Sequence, residues 1–136
     1  MARLPRIGPA GIPQHVIQRG NNRQICFASD QDFSAYANWL NEYSNQFSVE
    51  VHAWVFMTNH VHLLLTPRIE GAVSKMMQAL GRRYVRYFNR EYRRSGTLWE
   101  GRFKSSLVQS SDYLLVCQRA IHICSRGAEQ GLGLRK

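Results

Sequence analysis

Cysteine is scarce in this chain of 136 residues: Cys26, Cys117 and Cys124 are an odd set, and no two of them form a CxxC pair. That excludes a disulfide-built scaffold and a cysteine-rich zinc site, and reduced thiols in a cytoplasmic setting are expected. Long apolar runs are also missing. No stretch approaches the ~20 residues that a membrane-spanning helix needs, and Met1–Pro13 contains Pro and Gly in place of an apolar signal core. Internal repeats, low-complexity tracts and linkers are absent too. One domain over residues 1–136 is therefore expected, with a poorly ordered tail from about residue 125.

Acidic residues are the last deficit, and the most informative one. Nine Asp and Glu stand against eighteen Lys and Arg, a net charge of +9. Such an excess points to a polyanionic partner, and the lack of an apolar span favours nucleic acid over a membrane. The charge is concentrated. Between Gly71 and Val108 nine basic residues face only Glu91 and Glu100, which accounts for +7 of the +9.

What is present reads as an α+β protein. Gln14–Arg19 is a strand candidate closed by Gly20-Asn21-Asn22. Ser29 or Asp30 can cap a helix to about Gln46, with Phe33, Tyr36, Ala37, Leu40, Tyr43 and Phe47 on its buried face. Val49–Phe56 and His60–Thr66 read as a hairpin. A second helix is expected from Gly71 to about Arg94, striped by Val73, Met76, Met77, Leu80, Tyr84, Tyr87 and Phe88. Lys104–Gln109 is a further strand, and Asp112 to about Cys124 a last helix. The order β-α-β-β-α-β, then α, predicts a ferredoxin-like split βαβ fold with a central antiparallel sheet and a C-terminal helix.

His60-Val61-His62 is the sharpest local feature. Residues i and i+2 of a strand share a face, so the two imidazoles start ~7 Å apart and can converge on one divalent ion. A short HxH is also common as a purely structural pair, and context decides between the two. The string Trp54-Val55-Phe56-Met57-Thr58-Asn59-His60-Val61-His62-Leu63-Leu64-Leu65 closely resembles the signature of the single-tyrosine HUH transposases. His15-Val16-Ile17-Gln18-Arg19-Gly20-Asn21-Asn22, Tyr87-Phe88-Asn89, the run Ser95–Lys104 and Asp112-Tyr113-Leu114-Leu115 extend the resemblance to the REP-associated tyrosine transposases, over roughly residues 1–123.

The resemblance implies a DNA strand-cleaving and rejoining domain that acts on hairpins of repetitive extragenic palindromes and single-stranded DNA. It implies a divalent cation, Mg²⁺ or Mn²⁺, held by His60 and His62, and a tyrosine that forms a phosphotyrosine link. The chain departs from the family at that tyrosine. Where relatives read Arg-Tyr-Ile-x-hydrophobic-Asn-Pro, this chain reads Arg119-Ala120-Ile121-His122-Ile123-Cys124-Ser125. Ala120 stands at the nucleophile position and cannot attack phosphorus; Cys124 stands at the position of a possible third metal ligand. Tyr113, seven residues earlier, is ~10 Å away along a helix at ~1.5 Å per residue, too far to take over. Binding without cleavage is the expectation.

Candidate DNA contacts follow from charge and spacing. Arg82, Arg86, Arg90 and Arg93, flanked by Arg83 and Arg94, form an arc opposite the apolar stripe of the second helix, suited to phosphates where mixed signs would mark a solvated face. Trp99 and Phe103, set among Arg102 and Lys104, either stack on unpaired bases or anchor their loop to the core. Arg19, Asn21, Asn22 and Arg23 form a polar loop able to grip a backbone or read bases. His15, His52 and His122 read as structural. A non-catalytic RNA- or DNA-binding module of the same fold is the alternative, a structural zinc site lacks paired cysteines, and both monomer and homodimer remain open.

Overall fold

The computed structural model describes residues 9–108 and 133–134. Their elements run β1 (Gln14–Arg19), α1 (Asp30–Gln46), β2 (Val49–Met57), β3 (His60–Pro67), α2 (Ala72–Glu91), β4 (Lys104–Leu107) and β5 (Gly133–Leu134). The strands form one antiparallel sheet in the order β4-β1-β3-β2-β5. Strand β3 lies between β1 and β2, which α1 connects, and β1 lies between β3 and β4, which α2 precedes. Each βαβ unit is thus split by a strand of the other.

The α+β class and the antiparallel sheet stand; the C-terminal helix does not. The last elements among the described residues are strands, β4 beside β1 at one edge and β5 beside β2 at the other. Without them β1 and β2 would present rows of unpaired backbone N–H and C=O groups. Residues 112–124, to which the helix was assigned, lie outside the described residues, and Gly133–Leu134, within the tail expected to fray, pairs with Ala53 and Trp54.

Alternation along the strands sorts side chains onto two faces. Val16, Val61, Leu63 and Leu65 face the helices and join Tyr36, Met76, Leu80 and Tyr84 in the main core. On β2 the register shifts between Val51 and Ala53, so Val49 and Val51 face the helices before the bulge and Phe56 after it. Ala53, Val55 and Leu64 belong to a second buried cluster on the opposite face. Helix α2 meets α1 through an acid in the core. The fully buried Asp32 accepts hydrogen bonds from the Tyr87 and Tyr92 hydroxyls, both at 2.6 Å, and from the backbone N–H groups of Ala28 and Ser29. Burial alone would raise this carboxyl; the four hydrogen bonds outweigh it and hold it below the ordinary carboxylate range.

Candidate functional site

The face of the sheet turned away from α1 and α2 carries the histidines. His60 and His62 sit two residues apart on β3, their rings edge-on with centroids 4.9 Å apart. Paired residues of an antiparallel ladder point the same way. Arg19 and Met57 flank His60 in register, and Ile17 and Val55 flank His62.

A third histidine joins them. His15 Nε2 lies 3.2 Å from His62 Nδ1, with the rings nearly parallel. On the other imidazole, His60 Nδ1 lies 2.7 Å from Asn59 Oδ1. A carboxamide oxygen only accepts, so Nδ1 of His60 is the protonated nitrogen and its Nε2 keeps a free lone pair. The same tautomer of His62, with its proton on Nδ1, would donate to His15 Nε2; the opposite tautomer would accept from it. Burial lowers the pKa of all three; the Arg19 charge adds to it at His60, and at His62 burial, then His60, His15 and Arg19, push the value down to about 4. Neutral imidazole, the form able to ligate a cation, therefore dominates at neutral pH.

Beside His60 opens a pocket of about 500 Å³ lined by Arg19, Gly20, Arg23, Asn59 and Glu100. Its wall is a strained turn. Asn22 and Arg23 both take left-handed backbone conformations, with φ of 56° and 59°, which costs an arginine about 1–3 kcal/mol and persists only where surroundings enforce it. Here they do: Gly20 N–H donates to Asn59 O, and Cys26 N–H to Thr58 O, which ties the turn to the β2–β3 connection that presents Asn59 and His60. The Gln24 carboxamide donates to Thr97 O and Leu98 O, and Arg94 donates to Gln24 Oε1. Two distant loops are thereby held as one wall. Asn21 and Asn22 are exposed on it.

The remaining basic candidates separate by face. Lys104 pairs with Ile17 and so belongs to the histidine face. Arg82, Arg86 and Arg102 line a second, larger cleft of about 840 Å³ between α2 and the 97–103 segment, floored by Gln18 of β1. Arg90 is exposed one turn further along α2. Arg83 is committed elsewhere: it donates to Glu42 at 2.6 Å and lies over the Trp39 ring, joining α2 to α1. Trp99, 5% exposed and packed against Tyr36 and Tyr84, anchors its loop to the core and presents no open face for stacking. Ala120 and Cys124 lie outside the described residues.

Sequence reasoning missed His15, Asn59, Gln24 and Glu100 as parts of the site. His15 carried a signal, since an odd position on β1 shares a face with Arg19, but which β3 residue it meets depends on the pairing register. His52 bonds Thr66 Oγ1 at 2.6 Å, consistent with a structural role. Among the described residues no three His, Cys, Asp or Glu side chains are grouped to hold a metal ion, and no helix is long and apolar enough to cross a membrane.

Comparison with known proteins bears on the fold and the family. No curated protein sequence matches the chain. Among solved structures, a REP-associated tyrosine transposase bound to a REP hairpin superposes with a TM-score of 0.77 at 16% identity, covering 93% of this chain and 74% of that one. A crystal structure of a candidate transposase from Deinococcus radiodurans R1 superposes with a TM-score of 0.59 at 22% identity, covering 90% of this chain and 97% of that one. At such identities the likeness establishes the fold. Family is settled by sequence: residues 11–122, from the approach to β1 through both histidines and beyond β4, match the model of the IS200-like transposases, and the chain belongs to that family.

Proposed function

We propose that the chain binds hairpin DNA with single-stranded flanks, of the repetitive extragenic palindrome type, and holds Mg²⁺ or Mn²⁺ through His60 and His62. The observation that carries this reading is the paired anchoring of the imidazoles. Asn59 Oδ1 occupies Nδ1 of His60 and His15 Nε2 lies at Nδ1 of His62, so both Nε2 atoms are left for a cation when His62 takes the tautomer that donates to His15. Ligating histidines are commonly oriented by such a bond from their other nitrogen. The donor set fits a divalent cation, and two imidazoles leave room for phosphate and water oxygens. Once bound, such an ion neutralises charge on a phosphate oxygen.

The chain's own residues supply the rest. Arg19, in register with His60, and Arg23, on the same pocket, are placed to hold a phosphodiester beside the histidines. Asn21, Asn22 and Lys104 extend that surface, while Arg82, Arg86, Arg90 and Arg102 offer phosphate contacts on the α2 side. Trp99 serves this surface as the anchor of its loop.

Cleavage is a separate matter. Ala120, at the family's tyrosine position, has no oxygen to attack phosphorus, so the chain binds DNA without forming a phosphotyrosine link. Two measurements test the proposal. Mn²⁺ titration by calorimetry should show binding that the His60→Ala/His62→Ala variant loses with its fold intact; an unchanged titration removes the pair from the site. Incubation with hairpin DNA and Mg²⁺ should give no denaturation-resistant adduct for the chain as it stands and an adduct for Ala120→Tyr, alone or with Cys124→Asn. An adduct from the unaltered chain would show another nucleophile at work. Metal-independent preference for RNA would favour a plain binding module instead.

A further inference from the structure

The histidine pocket and the α2-side cleft share one wall. Residues 98–100 run antiparallel beside residues 19–21: Trp99 pairs with Gly20, and Asn21 N–H donates to Leu98 O and Glu100 N–H to Arg19 O, both at 2.8 Å. Side chains alternate across such a pairing. Gln18 and Trp99 line the cleft, whereas Arg19 and Glu100 line the pocket beside His60. Two side chains reinforce this wall. Gln24 donates from Nε2 to Thr97 O and to Leu98 O, each at 3.1 Å. Arg94 donates to Gln24 Oε1 at 2.8 Å, to Asn89 Oδ1 at 2.6 Å and to Thr97 O at 3.2 Å, with its guanidinium over the Phe88 ring. Asn89 lines the cleft, and Arg23, next to Gln24 in the turn, lines the pocket. A chain of hydrogen bonds, Asn89 to Arg94 to Gln24, thus joins the cleft to the turn beside the histidines.

Two properties set this link apart from ordinary loop packing. Arg94 belongs to the basic arc by sequence, yet it is half-buried and turns its guanidinium onto three protein oxygens. The link also holds a conformation that the chain would not keep alone. Asn22 and Arg23, immediately before Gln24, both have left-handed φ, and Gly20 at the head of the turn has no room for a Cβ. We infer that Gln24 and Arg94 are positioning residues that couple the two sites: phosphates held in the cleft by Arg82, Arg86 and Arg102 fix Arg19, Arg23 and Glu100 beside the histidines, and DNA and Mn²⁺ bind cooperatively. The inference rests on the DNA- and metal-binding reading above and adds the coupling between its two halves. Its physical basis is shared ordering. Whichever partner binds first fixes the wall, and the second no longer bears that entropic cost. Such coupling is reciprocal: DNA tightens Mn²⁺ binding by the same factor as Mn²⁺ tightens DNA binding.

The test is a linkage cycle on the full chain with Mn²⁺ and a DNA hairpin that carries a single-stranded flank. Calorimetry gives the Mn²⁺ affinity with and without saturating DNA, and their ratio is the coupling factor. Part of that factor comes from phosphate oxygens touching the cation, and this part survives changes in the wall. Gln24→Ala and Arg94→Ala should each lower the factor by about fivefold or more, the low end of the ~5–150-fold range typical of coupled sites. Mn²⁺ affinity without DNA should stay as in the parent, since the contacts at Nδ1 of His60 and His62 involve neither residue. The double variant should lose no more than either single one, because two members of one link do not add. Gln24→Glu keeps the acceptor for Arg94 and loses the donors to Thr97 O and Leu98 O, so it should show part of the loss even where Gln24→Ala folds poorly by circular dichroism. Arg94→Lys separates position from charge: an ammonium does not reproduce the planar fork that meets three oxygens, and it should not restore the coupling. If Arg94 were instead a phosphate contact, lysine would restore it, and Arg94→Ala would flatten the salt dependence by about 0.7; either result overturns the inference. Additive losses in the double variant, a factor unchanged in Gln24→Ala and Gln24→Glu, or a parent factor of one would overturn it too. A parent chain that fails to bind Mn²⁺ or the hairpin would sink the reading beneath it, and this inference with it.

Discussion

Replacing His15 with phenylalanine would keep a planar ring on β1 while removing the nitrogen that meets His62. The consequence can be worked from tautomers. Ligation through His62 Nε2 requires the proton on Nδ1, and in that tautomer the N–H has an acceptor in His15 Nε2 at 3.2 Å. In His15→Phe the metal-free imidazole is free to carry its proton on Nε2. Binding a cation then forces a half-buried Nδ1–H with no acceptor, which costs about 1–3 kcal/mol. The bond sits at the long end of the usual 2.7–3.2 Å range, so the lower part of that interval applies. Mn²⁺ affinity should fall about tenfold, within the 10–100-fold expected for loss of a ligand's supporting partner. Calorimetric titration without DNA reads this directly, with circular dichroism as the control for folding. His15→Gln, which returns an acceptor oxygen, should recover part of the loss; a merely space-filling role would not respond to it. The reasoning is refuted if His15→Phe binds Mn²⁺ as the parent does while His60→Ala/His62→Ala binds none.

Four further outcomes are expected. Asp32→Asn removes the charge from a buried acceptor of four hydrogen bonds and should destabilise the fold by about 2 kcal/mol, or roughly 7 °C in Tm at ~2.1 cal/mol/K per residue. Because the folded pKa of Asp32 is depressed, that advantage is complete above the unfolded value of ~3.9 and lost as pH falls through the folded one, so urea midpoints of parent and variant should converge below about pH 4. Gly20→Ala would set a Cβ 2.3 Å from Gln24 O and 2.7 Å from Cys26 Sγ; backbone must move, and a loss of about 1–3 kcal/mol together with weakened DNA binding is expected, against no change if the turn is pliable. Joint Arg82→Ala, Arg86→Ala and Arg90→Ala should flatten the dependence of log K on log salt by about two units, at ~0.7 per single-strand contact. Arg83→Ala, by contrast, should leave that slope alone, and a large effect there would contradict its assignment to α1.

Periodicity alone placed β1, α1, β3 and most of α2, because burial against a single core imposes spacing that local sequence must obey: two in strands, 3.6 in helices. The HxH pair and the basic segment were legible as local motif and charge, and Ala120 at the tyrosine position followed from the resemblance to the family. Three things were not. A final helix was expected from the pattern of residues 112–124, whereas the last described elements are edge strands whose pairing is a non-local event. Arg83 and Arg86 are both arginines of one helix, yet only contact with Glu42 and Trp39 separates a structural cation from one lining a cleft. His15 becomes a partner of His62 only through the β1–β3 register, forty-seven residues apart in the chain. Sequence by itself determined which residue types carry the chemistry and on which element each one rides. Tertiary structure decided which of them meet, since hydrogen-bond register and helix packing join positions whose separation along the chain carries no record of their distance in space.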